Sequence, residues 1–209
     1  MGRSIKLIEQ LTSHIDAPPK LAKKTVKARE LVAESERKKI GDTGVSIALL
    51  DVVETLSALG ISHAICGGTA VQHYGYHRGT SDVDVIVMDT EYAKEELIGS
   101  NSGFKAGKYA NQVVHIQTQV DIDLLRGGDT VRDDQVVKLP LPKKSNYVPN
   151  YITLAQLISI KIDVARDNIH RLQDRVDANK LIVNNDLPRN FSVDPNILEE
   201  YQEIWDELH

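Results

Sequence analysis

The stretch CGGTAVQHYGYHRGTSDVDV, residues 66–85, opens on two adjacent glycines and closes on two aspartates one residue apart. Before it, SHAIC (62–66) is a short apolar run suited to a buried strand. After it, VDVIVM (83–88) alternates and is β-branched, which predicts a second strand. Between them, AVQHYG (70–75) predicts a short helix stopped by Gly75. The glycine pair therefore lies at a strand-to-helix junction. Asp82 and Asp84, at i and i+2 on a strand, share one face. Two carboxylates on one face repel unless a cation lies between them. Mg²⁺ is a natural guest, because it takes oxygen ligands and leaves positions open for phosphate oxygens. Glycine lets the backbone approach an anion closely, and amides opening a helix donate to phosphate. A plain tight turn and two solvated acidic residues would look the same if each half stood alone. Together they point to a phosphate cradle beside a paired-carboxylate strand.

Working outward, Thr69 sits at the helix junction, and Arg78 and Thr80 lie between the two halves, where each can reach a triphosphate. A third carboxylate is expected from a neighbouring strand. QVDIDLL (119–125) offers Asp121 and Asp123, again on one face. NQVVHIQT (111–118) and DDQVVKL (133–139) are further strand candidates. Three carboxylates and a phosphate cradle suit in-line nucleotidyl transfer. One metal there activates an acceptor hydroxyl and the other neutralises the leaving pyrophosphate.

The helical parts flank this middle. Residues 44–58 predict a helix that stops at Gly60. Residues 152–184 predict two helices meeting near 166–170, and SVDPNILEEYQEIWDEL (192–208) a last one, capped by Asp194 with Pro195 in its first turn. Lys161 lies on the apolar stripe of Leu154, Leu157, Ile158 and Ala165. A lysine there either snorkels to water or aims into a phosphate cleft, since burying it unpaired is costly. Asp174 and Asp177 either pair with Arg171, Arg175 or Lys180 on the helix surface or join the site.

Composition bounds the rest. The chain has 209 residues, 41% hydrophobic and 26% charged, as expected for a globular protein with one core and a small helical annex. No apolar run approaches a membrane span of ~18 residues, and the charged start excludes a secretory signal, so a cytoplasmic protein with no membrane partner is expected. MGRSIK resembles a myristoylation start only superficially, because its Ser falls at the wrong offset. A single cysteine, Cys66, excludes an intrachain disulfide and reads as a small buried hydrophobe. His63, His73, His77, His115 and His170 lack metal-ligand spacing. Net charge is −5, yet residues 20–39 carry eight Lys/Arg against three Glu. Lys20, Lys23, Lys24 and Lys27 recur at helical spacing, either as a phosphate track or as a solvated face. A first short helix precedes them, around Ile8, Leu11 and Ile15, and breaks at DAPPK. The expected architecture is α+β: a helical extension with a basic segment (1–45), a mixed core (46–150) and a helical C-terminal lobe (151–209).

An apolar residue, Gly-Gly, a dozen residues, Asp-x-Asp, then a separate apolar–Asp–apolar strand resembles the DNA polymerase β nucleotidyltransferase superfamily. The wording GGTAVQHYGYHRGTSDVDV is similar to its minimal members, closest to the abortive-infection type, some of which are toxins of toxin–antitoxin systems. LAQLISIKIDVARDNIHRLQDRVDANKLI (154–182) is similar to the later pattern of that group, a lysine and then a Lys-Asp-x-x-Asp helix, with Gln173 where the lysine usually stands. The resemblance implies a core of small mixed sheet flanked by helices, with Gly67 and Gly68 binding the triphosphate. It implies Asp82 and Asp84 as metal holders, and Asp123 as third carboxylate over Asp121, because the third Asp commonly precedes two apolar residues. Lys161 and Asp174 would serve the nucleotide. It also implies Mg²⁺ or Mn²⁺, an NTP substrate and a hydroxyl acceptor. A tRNA 3′ end is favoured as acceptor; a protein hydroxyl or an antibiotic are alternatives, as is an NTP-binding module without catalysis. An antitoxin protein is an expected partner if the chain is a toxin.

Overall fold

The computed structural model describes residues 34, 43–99, 103–144, 149–166 and 169–209. The two expected N-terminal helices, with the basic stripe, lie outside them. Helix α1 spans Gly44–Ala58 and starts at a capping box: Ser46 N–H donates to the Thr43 hydroxyl, and Thr43 N–H to the Ser46 hydroxyl. It ends where Gly60 takes φ +73°, a left-handed turn that glycine adopts without strain. Strand β1 follows (His63–Cys66), then α2 (Gly67–His73), β2 (Asp82–Val87), α3 (Thr90–Gly99), β3 (Phe104–Ala106), β4 (Gln112–His115) and β5 (Asp121–Arg126). Helices α4 (Leu154–Ala165), α5 (Leu172–Asn184) and α6 (Leu198–Leu208) complete the chain, with 3₁₀ turns at Ile169–Arg171 and Pro195–Ile197. The architecture is α+β, and these elements belong to one unit covering residues 35–209.

The five strands form one mixed sheet in the order β1-β2-β5-β4-β3. Only β2 and β5 run parallel. Strand alternation divides the apolar residues between two faces. Val83, Val85 and Leu124 meet Leu49, Val53 and Leu56 of α1 and Leu97 of α3. On the other face, Cys66 and Ile86 meet Val71 of α2, Ile158 of α4, Leu181 of α5 and Tyr201 of α6. The helical lobe therefore shares its core with the sheet. Each fully buried Leu or Ile contributes about 1.5–3 kcal/mol, so several such residues weld the lobe to the strands.

Three expectations need correction. The short helix does not begin after the glycines; it starts at Gly67 itself. DDQVVKL is not a strand, because the Asp163 carboxylate takes the N–H groups of both Val136 and Val137 (2.9 and 2.8 Å) and an isolated Thr130–Lys138 bridge is what remains of pairing. Helix α3 and strand β3 carried no sequence expectation. In α3 only Ala93 and Leu97 are buried, too few for a readable apolar stripe. The Asp194 cap is confirmed, but it opens the 3₁₀ turn rather than α6 (Asn196 N–H to Asp194 Oδ1, 2.9 Å).

Candidate active site

In register, Asp82 lies beside Asp121 and Asp84 beside Asp123 across the parallel β2–β5 pair, so all four carboxylates project on one face. An open cleft of about 720 Å³ lies over this face. It is lined by Asp82, Asp84 and Asp123 from the strands, by Gly68, Arg78 and Thr80 from α2 and the following loop, and by Lys161, Arg171, Gln173 and Asp174 from the lobe. Asp121 is exposed and does not line it.

The glycine pair is fitted to the aspartate strand. Gly67 has φ +62°, and a Cβ there would come within 1.7 Å of Asp84 Oδ2. A Cβ on Gly68 would come within 2.4 Å of the Thr80 hydroxyl. Both positions need glycine because the carboxylate strand and its approach loop press against this backbone. Thr69 is fully buried and turns its hydroxyl to the Cys66 carbonyl (3.3 Å), away from the cleft. Cys66 is a free, buried thiol whose pKa burial pushes up, in line with a small-hydrophobe role.

The sheet side of the cleft is under-neutralised. Burial pushes the Asp84 carboxyl up to about 6, helped by Asp82 and Asp123 and opposed by Lys161. Asp123 is also raised, first by burial and then by Asp82 and Asp121, against a hydrogen bond from Gln112. Neutral groups hold these carboxylates: the Thr80 hydroxyl donates to Asp82 Oδ1 and Gln112 Nε2 to Asp123 Oδ1, each at 3.0 Å. Among the described residues no three His, Cys, Asp or Glu side chains form a ready metal cage. The set offers only hard carboxylate oxygens, which fit Mg²⁺ or Mn²⁺ rather than a softer ion.

On the lobe side the charges are paired. Arg78 holds Asp177 through two parallel bonds, Nε to Oδ1 and Nη2 to Oδ2, both 2.7 Å. Lys161 Nζ reaches Asp174 Oδ1 at 2.7 Å and Asp177 Oδ2 at 2.9 Å. Arg171 Nε reaches Asp174 Oδ2 at 2.9 Å. Burial alone would raise Asp177, yet the bonds from Arg78 and the charge of Lys161 hold it below the usual carboxylate range. Lys161, which burial would lower, is raised by Asp174 and Asp177. Gln173 Nε2 also donates to Asp177 Oδ1 (2.9 Å).

The structure thus brings Asp82, Asp84, Asp123, Gly68, Arg78, Thr80, Lys161 and Asp174 to one cleft, with Gly67 behind Asp84 and Thr69 turned inward. Arg78 and Lys161 arrive already paired with aspartates. Sequence reading passed over Gln112, whose bond to Asp123 spans eleven positions with no motif to mark it. Two of the histidines serve elsewhere: His73 stacks on Tyr151 at 3.9 Å, and His115 lies 3.0 Å from Asp51.

No protein-family model matches the chain, and no curated protein matches it. Among solved structures, the chain is similar to an antigenic nucleotidyltransferase-like protein from Paracoccidioides brasiliensis. The two are 16% identical, with a TM-score of 0.46 over 78% of this chain and 85% of the other. Among the described residues no helix is long and apolar enough to cross a membrane.

Proposed function

We propose that this chain is a Mg²⁺- or Mn²⁺-dependent nucleotidyltransferase, moving an NMP from an NTP to a hydroxyl acceptor with release of pyrophosphate. The observation that carries the reading is the in-register pair of parallel strands that sets Asp82, Asp84 and Asp123 on one face, against the Gly67–Gly68 backbone. These three carboxylates would hold the metal, which when bound neutralises phosphate charge and acidifies the acceptor hydroxyl. Asp123, with Oδ1 engaged by Gln112, keeps Oδ2 for the acceptor proton. The Gly68 backbone and the Thr80 hydroxyl line the phosphate path. Lys161, Arg171 and Arg78 form its cationic wall, and Asp174 holds Lys161 and Arg171 in place.

A tRNA 3′ end is the favoured acceptor, on the sequence resemblance and on the basic segment at residues 20–39. The same resemblance supports a toxin role with an antitoxin partner. The test offers each NTP, radiolabelled at its α-phosphate, with total tRNA, cell protein and an antibiotic panel in turn. Asp84→Ala serves as control. Label on tRNA that Asp84→Ala abolishes is expected. Label on protein or antibiotic alone would replace the acceptor and keep the chemistry. Equal label from both proteins on every acceptor would end the catalytic reading.

A further inference from the structure

We infer that Gln112 is a positioning residue for Asp123, fixing which carboxylate oxygen faces the cleft. The inference rests on the nucleotidyl-transfer reading and deepens it. Gln112 opens β4 directly opposite Asp123 in the antiparallel register and is 5% exposed. Its Oε1 accepts from Lys108 N–H at 3.0 Å, while its Nε2 donates to Asp123 Oδ1 at 3.0 Å. The orientation of this amide is dictated chemically. A backbone N–H can only donate and a carboxylate can only accept, so a flipped amide would oppose donor to donor and acceptor to acceptor.

The surroundings hold the amide rigidly. A Cβ on Gly107 would come within 2.6 Å of Gln112 Cγ and 2.7 Å of its Oε1, so the loop backbone lies directly over the side chain. Gly107 N–H also bonds the Gln112 carbonyl at 3.0 Å. Asn111 stitches the same corner to β5, donating from Nδ2 to the Leu124 carbonyl at 2.9 Å and accepting Leu124 N–H on its own carbonyl at 2.8 Å. Asp123 is thus gripped from one side, with Oδ2 left for metal or acceptor. Asp121, two residues earlier on the same face, is exposed, and the residue opposite it on β4 is Val114, whose side chain has no hydrogen to donate to a carboxylate. Outer-shell partners of this kind typically change metal affinity or activity by about 10–100-fold when removed.

The experiment uses the full chain, with Mn²⁺ alone as probe and free ion counted by electron paramagnetic resonance. Transfer kinetics are measured on the acceptor found by labelling. Gln112→Met keeps the volume and deletes the donor. It should weaken Mn²⁺ binding and lower kcat about 10–100-fold, with KM for NTP within about threefold of wild type. Gln112→Glu keeps the acceptor for Lys108 N–H, so the loop stays, but sets a like charge on Asp123; kcat should fall as far. Gly107→Ala should copy the kcat loss without touching Asp123, and the loss should shrink in the Gln112→Ala background, where two of the three close contacts are gone. Gln112→Met and Gln112→Glu both within about twofold of wild type would overturn the inference and leave the transfer reading intact. A wild type that neither binds Mn²⁺ nor transfers label would sink both.

Discussion

On the sheet side of the cleft, Asp82 and Asp123 take hydrogen bonds from neutral Thr80 and Gln112, and Asp84 is pushed up to about 6 by burial and its acidic neighbours. On the helix side, Arg78, Lys161 and Arg171 are each tied to Asp174 or Asp177, three cations against two carboxylates. One wall carries an excess of carboxylates; the other is nearly balanced, with one positive charge in surplus. A divalent cation would relieve the first wall and a polyphosphate would suit the second, which is the complement that the proposed metal–NTP substrate would supply. A buried pair costs desolvation whether or not it binds anything, so the helix-side network is also the joint between loop 76–81 and α5.

The largest way to break the contrast is chemical. Asp84→Asn should cut label transfer by at least about ten-thousandfold, equivalent to about 5.5 kcal/mol of barrier, because it removes the deepest of the three carboxylates. The folded protein should survive it: circular dichroism and a melt at neutral pH should match or exceed wild type. An Asp84→Asn protein that still transfers label would remove Asp84 from the chemistry.

The matching change on the other wall should do the reverse. Asp177 has a fully buried side chain and serves both Arg78 and Lys161. Asp177→Ala leaves Arg78 without its carboxylate and Lys161 with Asp174 as its remaining carboxylate partner, and breaking a buried pair on one side costs about 3–5 kcal/mol. Urea denaturation reads this directly. A loss under about 1 kcal/mol would mean that the pair is solvated and contributes little as a joint.

Stability against pH separates the walls by sign. An unfolded aspartate ionises near 3.9, while Asp84 in the fold keeps its proton to about 6. Between these values the native state binds more protons, so this group makes stability fall as pH rises, by roughly 2–3 kcal/mol at most. Asp177 is held low, so its contribution is present at neutral pH and is lost as pH falls through its folded value. In chelator, the difference between wild type and Asp84→Asn should therefore open between about pH 4 and 6 and stay open above; Mg²⁺ should close it. A pH-independent difference would remove the claim that Asp84 is strained.

The contrast also marks what the sequence could tell. Asp82 and Asp84 were legible because period-two geometry is local, and so was the glycine pair before them. The full reason for those glycines was not: Gly67 and Gly68 are fitted to Asp84 and Thr80, partners that lie on the far side of a helix and loop. Asp121 and Asp123 share a face, so spacing could not choose between them. Tertiary structure makes the choice: Asp123 lines the cleft with Lys161, Arg171 and Asp174 of the lobe, while Asp121 is left exposed outside it. Lys161 was conspicuous as a charge on an apolar stripe, while its partners Asp174 and Asp177 sit one helix away, beyond any local pattern. DDQVVKL misled because its alternation was real, but Asp163 claims the amides a strand would need.

The smallest expected effect sharpens the contrast most finely. Gln173 stands where the resemblance has lysine, and it lines the cleft while donating to Asp177 Oδ1. Gln173→Lys keeps a donor within reach of Asp177 and adds one positive charge to the wall already in surplus. The added ion pair is partly exposed, so stability should change by less than about 1 kcal/mol. If this wall faces the phosphates, KM for NTP should fall about 3–10-fold at low salt. The gain should fade toward 1 M salt, where screening shortens from about 10 Å at 0.1 M to about 3 Å. Metal affinity without NTP should not improve, because the lysine adds nothing to the carboxylate wall and repels a cation. An unchanged KM at every ionic strength would place the phosphates elsewhere. Lys161 and Arg78 would then be joints of the fold and not part of the phosphate site.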